Sequence, residues 1–296
     1  MSVEALHIEL SHACQLNCLA CDHRLLGNQR LSAAQLRRVF SAPEFSRAGL
    51  VSFSGGEPLL HPELARIVTD GAAAFPHAAI VVLTNLFDTT RLKRFMRALP
   101  RPLTGRLHLG SSLDGPPGVH DEMRGKTGAF AGLKKSHAWL RANFPRLSTG
   151  FTFTAASVNA AHFYEAWLTA RGLGAPLGLQ FLAPNANTSG LELNTADKKT
   201  LTLAIKAALS DLKTEGRTDT AEAGNLKAAL NFLDGRIIAA CGAGKTFFML
   251  SPEGSFYLCP FHKEITAPLA GIAELRSRLK GPAIRICERC FLRCAL

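Results

Sequence analysis

The chain has 296 residues, of which 47% are hydrophobic, and this length and composition exclude a disordered or fibrous protein and favour a buried core. No apolar run approaches the ~18 residues of a membrane-spanning helix, and the N-terminus lacks the basic leader and apolar core of a signal peptide, so we expect a cytoplasmic protein with no membrane partner. The formal net charge of +11 comes from scattered basic residues without a dense run or interleaved aromatic residues, which argues against nucleic-acid binding and fits an acidic redox partner or an anionic substrate.

Short apolar segments typical of β-strands alternate with amphipathic helical segments along the first part of the chain. This alternation predicts parallel βαβ units and an α/β fold, namely a partial (β/α)6 TIM barrel that binds ligands at the carboxyl ends of its strands. The predicted strands are residues 6 to 10, 50 to 54, 79 to 83, 106 to 111, 148 to 154 and 177 to 182. The predicted helices lie near residues 32 to 41, 61 to 75, 89 to 98, 127 to 143 and 160 to 171.

The second part of the chain has a different pattern. Residues 184 to 195 are rich in turn-forming residues and predict a linker, and two apolar runs around Pro252 to Ser255 predict a β-hairpin. Further helices are expected near residues 196 to 213 and 219 to 233. We therefore expect a barrel at residues 1 to 183, a linker with helices at 184 to 240, and a small cysteine-rich extension at 241 to 296.

Eight cysteines occur in a chain without a secretory signal. The cytosol keeps thiols reduced, so metal binding is a better explanation for them than structural disulfides. Three cysteines lie within residues 14 to 21 and five within residues 241 to 294, with none between. The distribution predicts two metal sites.

Cys14, Cys18 and Cys21 form a C-x3-C-x2-C motif directly after the first predicted strand. Three thiolates in a loop can hold an iron-sulfur cluster and leave one iron open to a small molecule. The same spacing also places three residues on one face of a helix, and a zinc site is an alternative with His12 or His23 as the fourth ligand. The spacing alone leaves these alternatives open.

Two further motifs end predicted strands. Ser54-Gly55-Gly56-Glu57-Pro58 follows the second strand, and its two glycines permit close approach of the backbone to a ligand. Ser111-Ser112-Leu113-Asp114-Gly115 ends the fourth strand. Because the carboxyl ends of parallel strands share one rim, all three motifs are expected at the same ligand-binding edge.

These motifs resemble the signature of the radical S-adenosylmethionine (SAM) superfamily, which has C-x3-C-x2-C after the first strand and a GGEP-like motif after the second. The resemblance continues through Leu83-Thr84-Asn85, the segment 112 to 117 and the segment 120 to 125, which are also similar to the SPASM and twitch subgroup. It implies that SAM chelates the open iron of a 4Fe-4S cluster held by the three N-terminal cysteines. The implied SAM-binding residues are Gly55, Gly56 and Glu57 for the methionine portion, and Ser112 and Arg124 for the ribose and carboxylate.

The sequence departs from the family pattern at one position. The residue before the third cysteine is usually aromatic and packs near adenine, whereas here it is Ala20. The adenine contact therefore passes to His23 or is lost.

The resemblance also implies a reaction. The reduced cluster donates one electron to SAM, and the resulting 5'-deoxyadenosyl radical abstracts a hydrogen atom from the substrate. We expect an oxidoreductase that modifies a ribosomally made peptide and takes its electron from a flavodoxin- or ferredoxin-type donor. The barrel begins almost at residue 1, so a separate peptide-recognition protein is expected. One alternative is dehydrogenation of a small hydroxylated metabolite, and another is a zinc-stabilised or redox-sensing protein without catalytic activity.

The C-terminal cysteines resemble the twitch and SPASM extensions, in which two cysteines flank a hairpin. Five cysteines are too few for the seven that generally hold two auxiliary clusters, so the resemblance implies one auxiliary 4Fe-4S cluster, although a four-cysteine zinc ribbon also fits the spacing. His262 is a candidate proton acceptor or cluster ligand, with an ordinary polar loop histidine as the alternative. The expected cluster ligands are Cys241, Cys259, Cys287 and Cys290, with Cys294 competing for the fourth place.

Overall fold

The structure is a computed structural model that describes residues 3 to 236, 242 to 244, 246 to 268 and residue 291. Within these residues the strands are β1 (Ala5–Glu9), β2 (Leu50–Ser54), β3 (Ala79–Leu83), β4 (Leu107–Ser112), β5 (Ser148–Ala155), β6 (Leu177–Phe181), β7 (Phe247–Leu250), β8 (Ser255–Cys259) and β9 (His262–Pro268). The α-helices are α1 (Ala33–Phe40), α2 (Leu64–Ala74), α3 (Thr89–Ala98), α4 (Pro117–Met123), α5 (Ala129–Asn143), α6 (Phe163–Gly172), α7 (Thr195–Thr214) and α8 (Ala221–Leu233). No helix in this part of the chain is both long enough and apolar enough to cross a membrane.

All of these strands belong to one sheet, in the order β6-β5-β4-β3-β2-β1-β7-β8-β9. Strands β1 to β5 each pair in parallel with the next strand along the chain, up to β6, and helices form the crossovers between them. The predicted α/β fold with a mostly parallel sheet is therefore confirmed. Each of the six predicted strands is present, with bounds that differ by no more than one residue.

The two faces of the sheet differ in polarity because successive side chains of a strand point to opposite sides. Ile8 of β1 and Phe53 of β2 are fully buried in a core that includes Ile67 of α2. Burying each such side chain contributes about 1.5–3 kcal/mol, so this face holds the helices in place. The opposite face of β1 and β2 carries the polar residues His7, Glu9, Ser52 and Ser54, which pair in register as His7 with Ser52 and Glu9 with Ser54.

Helix α4 was not predicted from the sequence. Pro116 precedes it and Pro117 occupies its first turn, where a missing N–H costs nothing. Gly125 and Gly128 have φ values of 56° and 82°, and they separate α4 from α5. Two prolines and a glycine at the start of α4 are typical of a turn, which is why the pattern indicated a helix only from residue 127 onward.

The predicted hairpin is present, and it extends the main sheet. Strands β7 and β8 are antiparallel around a turn in which Gly254 has a φ of 81°. Strand β7 pairs in parallel with β1, with Ala5 opposite Phe247, so the hairpin lies beside the first strand of the parallel sheet. The unpredicted strand β9 then pairs with β8. Four of the predicted auxiliary-cluster ligands lie outside the described residues, namely Cys241, Cys287, Cys290 and Cys294.

Candidate functional site

The three N-terminal cysteines line one cleft at the carboxyl ends of the parallel strands. The structure places Gly55, Gly56, Ser112 and Arg124 in the walls of the same cleft, so four of the five predicted SAM-binding residues meet the cysteines there. Further lining residues come from β2 to β6 and the segments that follow them, namely Ser54, Leu83, Thr84, Asn85, Gly110, Ser111, Thr152 and Gln180.

The two glycines of the second motif press directly against the cysteine loop, which we define as residues 11 to 21. The backbone N–H of Gly56 donates to the Ser11 carbonyl at 2.7 Å, and the N–H of Glu57 donates to the Ala13 carbonyl at 2.8 Å. A Cβ atom at Gly55 would lie 2.5 Å from the Ser11 oxygen, and one at Gly56 would lie 2.3 Å from the Ala13 oxygen. The sequence predicted that the backbone of these glycines approaches a ligand closely. The structure shows that this backbone packs closely against the cysteine loop.

The carboxylate of Glu57 is fully buried and holds the segment after β3. It accepts hydrogen bonds from the Leu59 N–H at 2.9 Å, the Thr84 hydroxyl at 2.7 Å and the Asn85 N–H at 2.8 Å. Burial raises the pKa of Glu57 to about 7 even though these three donors favour the charged form. The Glu57 side chain therefore positions Thr84 and Asn85, both of which line the cleft.

Arg124 connects the cysteine loop to a buried carboxylate. Its Nη1 donates to the Cys18 sulfur at 3.8 Å, and its Nη2 forms an ion pair with Asp114, whose side chain is fully buried. Asp114 also accepts a hydrogen bond from the Thr154 N–H at 3.0 Å. Although burial lowers it, the pKa of Arg124 is raised on balance by Asp114 and Cys18, so the guanidinium is a fixed positive charge beside a predicted metal ligand.

Two polar atoms of residues that line the cleft are buried without a hydrogen-bond partner among the described residues. They are Nε of Arg124 and the hydroxyl oxygen of Ser111. A buried polar group without a partner costs about 1–3 kcal/mol, so such groups commonly mark a site where a ligand completes the bonding.

Asparagine side chains hold the loop at three further points. Asn85 donates to the Cys14 sulfur at 3.9 Å, Asn185 donates to the Ala20 carbonyl at 3.0 Å, and Asn187 donates to the Cys21 carbonyl at 2.6 Å. Sequence reasoning assigned no role to these residues and predicted residues 184 to 195 to be only a linker. Clustered asparagines beside Pro184 are a turn signal, and that composition alone does not indicate that they contact a loop 165 residues away.

His12 of the cysteine loop contacts His23, which lies two residues after the loop. Nδ1 of His12 lies 3.0 Å from Nδ1 of His23, and Nε2 of His12 lies 2.6 Å from the carboxylate of Glu253 in the hairpin turn. Nε2 of His23 lies 3.7 Å from the Glu9 carboxylate, and burial lowers the pKa of His23. The hairpin is thus attached to the cysteine loop through His12.

The donor set fits an iron-sulfur cluster. The cleft carries three thiols, and Asn85 and Arg124 direct N–H groups at two of the sulfur atoms, which is the kind of hydrogen bonding that tunes such clusters. Burial raises the pKa of Cys14 to about 11 and raises that of Cys21, so metal binding has to supply the charge that stabilises the thiolates. Among the described residues no three His, Cys, Asp or Glu side chains surround a single-ion position. The thiolates of a cluster bind different irons, so they need not converge on one point.

We expect Gly56→Ala to prevent the cysteine loop from packing, because the new methyl group would meet the Ala13 and His12 carbonyl oxygens at 2.3 and 2.6 Å. Overpacking of this kind costs about 1–3 kcal/mol, and most of the iron bound at the loop should be lost. Gly118→Ala in α4 is the matched control, since nothing lies within 4 Å of its Cβ position. Two measurements distinguish the variants, namely the iron content after anaerobic reconstitution and the temperature of thermal unfolding. Equal iron content in both would contradict the expected steric role of Gly56.

The remaining described members of the predicted second site lie on the hairpin and the strand after it. Cys259 ends β8 and is buried, and its Cα pairs in register with that of His262 at the start of β9. Nδ1 of His262 lies 3.1 Å from the Glu264 carboxylate. Within the described part of the chain, Cys259 is the one member of the C-terminal cysteine group whose position is known.

No protein-family model matches the chain. An alignment over 144 residues is 33% identical to the PqqA peptide cyclase of Rhodopseudomonas palustris, and it covers 46% of this chain and 36% of that protein. This chain therefore corresponds to less than two thirds of the cyclase.

Solved structures share the fold at low sequence identity. SuiB of Streptococcus suis bound to S-adenosylmethionine has a TM-score of 0.66 and 12% identity, covering 87% of this chain and 60% of SuiB. The structure of anSMEcpe with bound AdoMet and the Cp18Cys peptide has a TM-score of 0.61 and 20% identity, covering 87% of this chain and 74% of that protein. The chain is thus similar to the PqqA peptide cyclase over part of its sequence and to these SAM-bound structures in its fold.

Proposed function

We propose that this chain is a radical SAM enzyme of the SPASM and twitch type, in which a partial (β/α)6 barrel holds a 4Fe-4S cluster on Cys14, Cys18 and Cys21. The observation that carries the proposal is the meeting of these three thiols with Gly55 and Gly56 in one cleft at the carboxyl ends of the strands. When bound, the cluster supplies the electron that cleaves SAM to the 5'-deoxyadenosyl radical, which abstracts a hydrogen atom from the substrate.

The protein's own groups bind and orient SAM. Gly55 and Gly56 line the cleft beside the cysteine loop, where they can bind the methionine portion, whereas the N–H and carbonyl of Glu57 are already bonded to the Ala13 carbonyl and the Leu60 N–H. Ser112 is the proposed ribose contact. Nε of Arg124 is buried without a hydrogen-bond partner among the described residues while its Nη atoms hold Cys18 and Asp114, and we infer that a carboxylate of SAM accepts from Nε once SAM binds in the cleft.

The proposed substrate is a ribosomally made peptide that undergoes oxidative modification. Three related proteins support this class: the PqqA peptide cyclase by its name, SuiB by its structure with the precursor peptide SuiA, and anSMEcpe by its structure with the Cp18Cys peptide. The proposed partners are a flavodoxin- or ferredoxin-type electron donor and a separate peptide-recognition protein.

An auxiliary 4Fe-4S cluster held by Cys259 and the other C-terminal cysteines would supply an acceptor for the electron that remains after hydrogen abstraction, and His262, whose Cα pairs in register with that of Cys259, is the candidate proton acceptor. Two clusters correspond to about eight irons per chain. The proposed ligands of the auxiliary cluster are Cys241, Cys259, Cys287 and Cys290, with Cys294 as the competitor for the fourth place.

Anaerobic purification tests the proposal. We expect a brown protein with about eight irons and matching sulfide that releases 5'-deoxyadenosine from SAM when dithionite is added. A colourless, zinc-loaded protein that leaves SAM intact would refute it and support the structural-zinc alternative. Supplying either a short peptide or a hydroxylated metabolite then decides the substrate class, because the true substrate should increase 5'-deoxyadenosine release and lose hydrogen in its mass spectrum.

A further inference from the structure

The segment from Arg24 to Arg30 projects from the protein directly after the cysteine loop. Every residue in it is exposed, whereas Leu31, which follows it, is fully buried. Leu25 and Leu26 are 66% and 40% exposed, so they are among the most exposed large apolar side chains in the described residues. Two adjacent exposed leucines form an apolar tip of the kind that marks a contact surface.

This projection is tied to the cysteine loop at both of its ends. At its start, the Leu25 N–H donates to the Asp22 carbonyl at 2.8 Å, one residue after Cys21. At its end, Arg30 forms a β-bridge with Ser11, and the His12 N–H donates to the Gln29 carbonyl at 3.3 Å. A protein bound to the projection would therefore lie beside the loop that carries the proposed cluster.

Both charged residues of the segment are basic. Arg24 and Arg30 flank the tip and are exposed. The nearest acid in the sequence, Asp22, has its carboxylate 3.8 Å from the Lys263 ammonium, so its charge is compensated. The whole chain has a formal net charge of +11, which favours the approach of an acidic protein over longer distances.

We propose that residues 24 to 30, named here the basic projection, are the docking surface for a small acidic electron-transfer protein of the flavodoxin type. This proposal rests on the proposed function. The donor loses one electron, the cluster held by Cys14, Cys18 and Cys21 gains it, and no covalent bond forms or breaks. Electron-transfer partners bind through small interfaces, often below ~1,200 Å², so an apolar tip with a basic rim is sufficient for an acidic partner.

Stopped-flow reduction of the anaerobically reconstituted full chain tests the docking surface, with flavodoxin hydroquinone as the donor in one arm and dithionite in the other. We expect the double variants Leu25→Ser/Leu26→Ser and Arg24→Glu/Arg30→Glu to be reduced by flavodoxin about tenfold more slowly or worse than the unaltered chain. Their reduction by dithionite should be unchanged, because dithionite needs no protein interface. Added salt should slow the flavodoxin reaction of the unaltered chain more than that of the charge variant.

The matched controls are Leu203→Ser on α7, where the leucine is 61% exposed, and Arg94→Glu/Arg97→Glu on α3, where both arginines are exposed. Both controls should retain the flavodoxin rate. Unchanged flavodoxin rates in the projection variants, an equal loss in the controls, or a parallel loss with dithionite would each overturn the docking surface.

Two further measurements separate the possible failures. Iron and sulfide are measured before any rate. A chain without iron refutes the proposed function together with this inference. An iron-loaded chain whose reduction by flavodoxin is not slowed by the projection variants refutes the docking surface alone. Sedimentation without flavodoxin tests for a second copy as the occupant. A dimer that the leucine variant dissociates would assign the projection to self-association and overturn the proposal.

Discussion

Replacing Cys14, Cys18 and Cys21 together by serine is expected to reduce 5'-deoxyadenosine release to the level measured without protein. The three thiols line the cleft and are the proposed sulfur ligands, and a serine hydroxyl is a hard donor that does not replace a thiolate at an iron-sulfur cluster. The variant should retain about four irons, because the proposed auxiliary cluster uses cysteines from the other end of the chain. Chromatographic measurement of 5'-deoxyadenosine and iron analysis on one sample give both results.

Ala13→Ser is the matched control for this experiment. It introduces a serine into the same loop at an exposed position without removing a thiol, and the Ala13 carbonyl remains available to the Glu57 N–H. It should keep all of the iron and the rate of SAM cleavage. If the triple variant still cleaves SAM, the cysteine loop is not the cluster site. If it loses all of its iron, the two clusters are not independent.

The sheet and the position of the cleft could be predicted because they depend on local patterns. Each of the six apolar runs in the first part of the chain produced one parallel strand, and parallel strands have to bring their carboxyl ends to one edge. The Gly55-Gly56 pair could also be recognised, since only glycine permits the 2.3 to 2.5 Å approach that a Cβ atom would make to the loop carbonyls.

The partners of the site residues could not be predicted, because they depend on contacts between distant parts of the chain. Arg124 was assigned to SAM, and its simultaneous contacts with Cys18 and Asp114 require α4 to lie beside the cysteine loop. The Asn185 and Asn187 contacts depend in the same way on how the segment after β6 returns across the cleft. Side-chain hydrogen bonds at such separations leave no periodic pattern in a single sequence.

Arg124→Met is expected to lower the reduction potential of the cluster and to slow SAM cleavage by about 10–100-fold. The guanidinium donates to the Cys18 sulfur, and its positive charge stabilises the more negatively charged reduced form of any cluster held there. Methionine keeps most of the side-chain volume but removes the charge and the donors, so the reduced form loses stability and the potential falls by roughly 60 mV for each tenfold change in the one-electron equilibrium. Redox titration followed by electron paramagnetic resonance measures the potential directly.

Two comparisons separate this electrostatic effect from a loss of SAM binding or of folding. Arg171→Met on α6 removes a guanidinium that is also paired with a carboxylate, that of Glu215, and it should leave the potential unchanged because this pair lies on another part of the surface. Arg124→Lys keeps the charge, but lysine lacks the planar, forked donor that contacts Cys18 and Asp114 together. Compared with Arg124→Met, it should therefore recover part of the lost reduction potential and little of the rate of SAM cleavage. If Arg124→Met weakens SAM binding without changing the reduction potential, the arginine binds SAM and does not act on the cluster. A lowered potential in the SAM-free protein shows that it acts on the cluster through Cys18.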